Sequence, residues 1–198
     1  VKAEGQSDAA LRGMFTRHRI AGWDNTLERE LRKIAPNIQI LSADYGNPYN
    51  YREAPIEIKV AFEVPGYALL SNGDLIFSPV LSHGLFAGAT YAGRFDTDMQ
   101  NRSQGFRDRC SRNLNLKEAI KLPNEYQTVY TPRSENFSSP SGTYTIDYQQ
   151  KGEHFSMAHS FVFPKRVYKA EEWPDFRKTA AAFQGLARHR IILSADGG

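Results

Sequence analysis

The spacing of apolar side chains is helical over the first part of the chain and changes near residue 36. Residues 9–18 carry apolar side chains at helical spacing, and Ser7-Asp8 just before them predicts an N-cap and an acidic first turn. A second helical pattern begins at Asn25, for which Glu28 predicts a capping box, and it stops before Pro36. We therefore predict an N-terminal helical segment over residues 1–36.

From residue 37 onwards the apolar period is two, which is typical of β-strands with one buried and one solvated face. Residues 55–64 show this period most clearly, because every second residue is apolar while Glu57 and Lys59 occupy the opposite parity. Asn72-Gly73 and Lys151-Gly152 each separate two alternating segments and predict hairpin turns. The pattern as a whole indicates antiparallel strands.

The end of the chain combines a helix with a last strand. Pro174 is tolerated in a first helical turn, and the apolar residues that follow lie on one helical face before residues 189–194 predict a closing strand. Two segments lack either period, the glycine-rich residues 84–93 and the serine-rich residues 134–142. We predict that both are loops and that the second is mobile.

These elements predict a mainly β protein with flanking helices. An antiparallel β-sandwich over residues 37–198 follows the helical segment, and the C-terminal helix docks on the sheet. With 198 residues, 40% of them hydrophobic, the chain is long enough to bury a core without a disulfide or a metal. Its apolar runs are far shorter than the roughly 20 residues of a membrane helix, so we predict no membrane span.

The small net charge does not favour nucleic acid as a partner. Lys and Arg number 25 against 22 Asp and Glu, which leaves a formal charge of +3. The densest basic stretch contains Arg102, Arg107, Arg109 and Arg112, and Asp108 interrupts it. We predict that these residues form a solvated strand face rather than a nucleic-acid-binding surface.

Candidate chemistry is sparse. Cys110, the single cysteine, shares the parity of Phe106, so we predict that it is a small buried strand residue and that the chain has no catalytic residue. The alternative is an enzyme with Cys110 as its nucleophile, which ready labelling by a thiol probe would favour. The five histidines show no metal-ligand spacing, and we predict neither a metal nor a cofactor. His159 lies on the apolar parity of its strand, opposite to His154, and we predict a hydrogen-bonded core histidine.

An aromatic segment is the remaining candidate for ligand contact. Tyr45, Tyr49 and Tyr51 flank Asn47-Pro48 in a segment without strand or helix period. Rings of this kind stack on sugars or peptides, but they also cover the end of a β-sandwich. Both interpretations remain open from the sequence.

Six segments stand out by their order and spacing along the chain: Leu11-Arg12-Gly13, residues 55–67, residues 72–77, Leu122-Pro123, residues 142–155 and residues 168–176. In this order they resemble the C-terminal region of bacterial three-domain transglutaminase-like proteins. In that family a β-rich domain precedes a transglutaminase-like core with catalytic Cys, His and Asp. A second β-rich domain, of unknown function, closes the chain.

The resemblance implies that the catalytic residues belong to a core upstream of Val1 and that none carries over to this chain. The start at Val1, without Met or a leader, indicates a piece of a longer protein. The family also implies a bacterial envelope setting, periplasmic or secreted. We expect a non-catalytic accessory domain whose partner is the transglutaminase-like core in the same polypeptide. The alternative is an independent module that binds a cell-envelope glycan or peptide.

Overall fold

The computed structural model describes residues 1–52, 55–90 and 95–195, which form two compact units. Unit 1 contains the described residues of 1–67 and 84–91, and unit 2 contains those of 68–83 and 92–198. The domain boundary that the sequence suggests after residue 36 stays a prediction.

Unit 1 combines helices with a two-stranded antiparallel sheet. A β-bulge between Ile40 and Ser42 shifts the register of its two strands. The apolar stripes of the two longer helices are buried, as are Ile56 and Ile58 just before the second strand. The elements are α1 (Gly5–Thr16), α2 (Trp23–Leu31), β1 (Gln39–Asp44), β2 (Lys59–Glu63) and α3 (Ala87–Thr90).

Both N-terminal helices exist where their periodicity predicts them, and the acidic first turn of α1 is confirmed, but the predicted caps are wrong. Helix α1 begins at Gly5, so Asp8 lies in its first turn, where its carboxylate accepts hydrogen bonds from the backbone N–H of Ile56 and from Arg12. Helix α2 begins at Trp23, which places Asn25 inside the helix and leaves no capping box there. Polar side chains favoured at caps also serve contacts that are distant in sequence.

Unit 2 is built mainly from antiparallel strands. One sheet has the strand order β6-β10-β9-β8, a second has the order β3-β4-β12-β7, and β11 pairs with β5 alone. The strands are β3 (Leu69–Ser71), β4 (Asp74–Phe77), β5 (Phe106–Arg107), β6 (Arg112–Lys121), β7 (Tyr126–Tyr130), β8 (Glu135–Ser139), β9 (Gly142–Lys151), β10 (His154–Phe163), β11 (Val167–Tyr168) and β12 (Ile191–Ala195).

The two predicted hairpins are confirmed. Asn72 and Gly73 connect β3 to β4 and adopt φ angles of 52° and 88°, which the tight turn requires. The β9–β10 hairpin turns at Gly152, whose φ is 56°. The loop predicted over residues 134–142 is wrong, because most of this segment forms β8 and pairs with β9.

Helix α4 (Trp173–Gly185) docks on β9 and β10, as predicted for the C-terminal helix. Trp173 and Phe176 are fully buried there, and their rings contact Phe106 at centroid distances of 5.2 and 4.9 Å. The fold class predicted from the sequence is confirmed: mainly antiparallel β, with helices at both ends of the chain. The strands predicted as one sandwich are divided among four sheets.

Two local predictions need correction. Cys110 lies in a bend between β5 and β6, so it is a half-buried turn residue rather than a buried strand residue. The predicted loop at residues 84–93 contains the helical turn α3, while residues 91–93 lie outside the described residues.

Candidate functional site

The three tyrosines of the predicted aromatic segment lie in unit 1 with unequal roles. Tyr45 donates a hydrogen bond to the Asp24 carboxylate at 2.6 Å, and its ring lies 5.2 Å from Phe15 and 5.4 Å from Trp23. Burial, and then the hydrogen bond to Asp24, raise the pKa of the Tyr45 hydroxyl well above its usual value. Tyr45 therefore anchors the segment to the two helices.

Tyr49 and Tyr51 present their rings to solvent, with 50% and 63% of their surface exposed. The Tyr49 ring lies 5.9 Å from the Trp23 ring, and the buried Arg12 guanidinium lies 5.5 Å from the Tyr51 centroid. Arg12 also donates to the backbone oxygen of Asn47 at 2.8 Å. Two exposed rings on fixed supports can stack on a ligand, which keeps that interpretation of the segment open.

An apolar row crosses the β3-β4-β12-β7 sheet of unit 2. Leu69 pairs with Ile76, Ile76 pairs with Ile192, and Ile192 pairs with Tyr130. Paired residues of antiparallel strands point to the same face, so these four side chains form one row, one from each strand. The opposite face carries the buried side chains of Phe77, Ile191 and Leu193.

This apolar row is exposed at both ends and bordered on one side by polar residues. Leu69 and Tyr130 keep 64% and 52% of their surface exposed, while Ile76 and Ile192 are half-buried. Val129 beside Tyr130 is also exposed. The next row across the same face is polar and consists of Ser71, Asp74, Ser194 and Gln127. An apolar strip with a polar rim is typical of protein contact surfaces.

A trough lies on the outer face of the β6-β10-β9-β8 sheet. The central strand β10 contributes the small side chains of Ala158 and Ser160, and longer polar side chains stand on the strands beside it. The resulting cavity has a volume of about 490 Å³, within the range of small-ligand pockets. Its outer-face lining includes Asn115, Lys117, Ser134, Asn136, Thr145, Asp147, Ala158 and Ser160.

The inner face of the same sheet contains His159, buried as predicted with 3% of its surface exposed. Its predicted hydrogen bond is wrong, because neither ring nitrogen has a partner among the residues that the structure describes. The ring contacts Tyr148 and His189 edge-on, and the Tyr148 hydroxyl hydrogen-bonds to Nδ1 of His189. Burial, and then the charge of His189, lower the pKa of His159 to about 4, while Asp147 opposes the shift.

The basic stretch is not a solvated strand face as a whole. Arg112 is 7% exposed and makes two hydrogen bonds to the Asp108 carboxylate, at 2.8 and 2.6 Å. The Arg102 guanidinium lies 4.3 Å from the Trp173 centroid and 4.9 Å from that of Phe106. Two of the four arginines thus stabilise the interior, which corrects the prediction for them.

The described ranges contain neither a metal-binding cluster nor a membrane-spanning helix. Within residues 1–52, 55–90 and 95–195, no three His, Cys, Asp or Glu side chains lie close enough together to hold a metal ion. Over the same ranges, the helices are too short or too polar to cross a bilayer.

Comparison with known proteins gives a family and a shared fold. Residues 74–193 match the family described as a domain of unknown function with a solved structure, DUF3858. A crystal structure of a "putative protease" from Parabacteroides distasonis is similar, with a TM-score of 0.50 and 15% sequence identity. The similarity covers 62% of this chain but only 24% of that chain. The search of curated proteins found no match. At this identity the structural similarity establishes the fold alone.

Proposed function

Because the chain belongs to the family of domains of unknown function DUF3858, we propose that it is a non-catalytic accessory domain of a longer polypeptide. It packs on a transglutaminase-like core encoded upstream, which supplies the catalytic Cys, His and Asp. For the compartment we infer the bacterial envelope, periplasmic or secreted. The core and the compartment both rest on the resemblance described under Sequence analysis.

The observation that carries the proposal is the apolar row of unit 2. Burying an exposed leucine and a tyrosine is favourable by about 25 cal/mol for each Å² of apolar surface, and the half-buried isoleucines between them make the strip continuous. Exposed aromatic and branched side chains with a polar rim fit a folded protein surface better than a small polar ligand. The row therefore suits contact with another domain.

The small share of the Parabacteroides distasonis protein that the similarity covers supports the same conclusion. The matched fold covers 24% of that chain, so this architecture occurs there as one part of a longer protein. A protease and a transglutaminase-like core can both use a cysteine activated by histidine. A module beside such a core shapes or stabilises the substrate cleft without taking part in the chemistry.

Calorimetry between this chain and the upstream core tests the proposal. We expect measurable affinity, and we expect Leu69→Asp to weaken it roughly tenfold, because a carboxylate would be desolvated in the apolar contact. Leu41→Asp is the matched control, because Leu41 is a leucine with 60% of its surface exposed in unit 1. Absence of affinity between the two folded proteins, or an equal loss in both variants, contradicts the proposal.

A second candidate function is an independent module that binds an envelope glycan or peptide through Tyr49 and Tyr51. The exposure of both rings favours it. Chemical-shift mapping with peptidoglycan fragments should then give perturbations that cluster around Tyr49. Scattered or absent perturbations would count against this candidate.

A further inference from the structure

We propose that the trough on the outer face of the β6-β10-β9-β8 sheet binds a neutral, hydroxyl-rich glycan chain. This site belongs to unit 2, whereas the exposed tyrosines belong to unit 1, and it uses a different sheet from the apolar row. The proposal therefore goes beyond the accessory role and does not depend on it.

The shape of the trough follows from the alternation of side-chain size between strands. The floor consists of Ala158 and Ser160, and Lys117 and Asp147 stand on either side of Ala158 in the same row. Adjacent strands lie about 4.8 Å apart, so the two walls are separated by about 10 Å. The two floor residues lie about 7 Å apart at 3.4 Å per residue. A single glycan chain fits a channel of this width.

The chemistry of the lining favours hydroxyl groups. One row across the sheet consists of Asn115, Ser160, Thr145 and Asn136, each of which can donate and accept hydrogen bonds. Sugar hydroxyls have the same double capacity. The side chains of Asn136, Thr145 and Ser160 make no hydrogen bond to other described residues, so they are available to a ligand.

Other trough residues are held in place by their neighbours. The Asp147 carboxylate accepts hydrogen bonds from Ser134 at 3.2 Å and from Gln149 at 2.8 Å. The Asn115 amide donates to Asn113 at 3.1 Å. Fixing these side chains before binding lowers the entropy that a ligand must overcome.

The charges disfavour the competing ligand classes. Lys117 faces Asp147 across the floor, so the trough has no positive excess for a polyanion. An extended peptide binds best at a free strand edge or with its side chains in apolar pockets. The trough lies on a sheet face and is lined mainly by amides and hydroxyls, which favours a neutral glycan over a peptide.

Chemical-shift mapping of the whole chain with chitohexaose, a neutral oligosaccharide, tests this inference. We expect perturbed backbone signals at Asn115, Thr145 and Ser160. Thr145→Val keeps the shape of the exposed side chain and removes its hydroxyl, and it should weaken binding roughly fivefold. Thr16→Val, the same change in α1 of unit 1, is the matched control and should leave binding unchanged.

Several results would overturn the inference. Perturbations confined to the tyrosines of unit 1, no perturbation at millimolar chitohexaose, or binding of an extended peptide but not the glycan would each do so. An unchanged affinity of Thr145→Val, with its folded spectrum preserved, would have the same effect. The calorimetric test with the upstream core is independent, because Thr145 lies outside the apolar row.

Discussion

Replacing His159 by leucine is expected to remove a large part of the acid sensitivity of unit 2. The imidazole is 3% exposed, and its two ring nitrogens have no hydrogen-bond partner in the described part of the chain. Its register neighbours on β6 and β9 are the apolar Leu116 and Ile146. A leucine of similar size therefore fits this row, and it removes polar atoms that gain nothing from burial.

The magnitude follows from the lowered pKa of His159. Burial moves that pKa from its ordinary value of 6.5 to about 4 in the folded chain, so between these pH values the unfolded chain binds a proton that the folded chain does not. Stability that is fully present above pH 6.5 is lost as the pH falls, at about 1.4 kcal/mol per pH unit. The loss amounts to about 3 kcal/mol at pH 4, and His159→Leu abolishes it.

The assay is urea unfolding at pH 7, 6, 5 and 4, followed by tryptophan fluorescence. The chain has two tryptophans, so a Trp23→Phe background leaves Trp173 as the only one and makes the signal specific to unit 2. His154→Leu is the control, because His154 is exposed on the opposite face of the same strand. The difference in the free energy of unfolding between His159→Leu and the parent should increase by about 3 kcal/mol from pH 7 to pH 4. Parallel stability curves for the two proteins would refute the reasoning.

Two further predictions concern stability, each measured as the free energy of unfolding in urea. Asp108→Asn removes the carboxylate from the buried pair with Arg112 and should lower the free energy of unfolding by about 3–5 kcal/mol. Glu153→Gln is the control in the exposed pair with Lys121 and should lower it by less than about 1 kcal/mol. Similar losses in the two variants would contradict the difference in burial. Gly142→Ala would bring its Cβ within 2.6 Å of the Thr179 hydroxyl and should cost about 1–3 kcal/mol. The added Cβ of Gly185→Ala meets no atom within 4 Å, and this variant should stabilise α4 by up to about 1 kcal/mol. If Gly142→Ala proved more stable than Gly185→Ala, the close approach of residue 142 to Thr179 would be refuted.

The features that the sequence predicts well depend on neighbouring residues. The Asn72-Gly73 turn needs only two residues that tolerate positive φ, and β9 and β10 are joined by such a short turn that their pairing is local. The C-terminal helix likewise shows its apolar face within one segment. These elements match the structure because local preference and tertiary packing agree.

The features that the sequence does not reveal depend on pairing between distant segments. β12 inserts between β4 and β7, and only this arrangement aligns Leu69, Ile76, Ile192 and Tyr130 in one row. The adjacent leucines 69 and 70 occupy opposite parities, so alternation alone does not show which of the two belongs to the apolar row.

The serine-rich segment shows the same limit on a smaller scale. Its composition predicts a loop, but Phe137 pairs with Tyr144 and packs against the core of unit 2. The Ser139 hydroxyl accepts hydrogen bonds from the backbone N–H groups of Ser141 and Gly142, which closes the turn into β9. Serine thus supports a hairpin here because its side chain replaces missing backbone partners.

The accessory role is tested most directly by hydrogen exchange, comparing this chain alone with the same chain joined to the upstream core. The account predicts slower exchange in β3 and β7, the edge strands that carry Leu69 and Tyr130, because the core would cover them. Unchanged exchange in both strands, with protection elsewhere or nowhere, would contradict it.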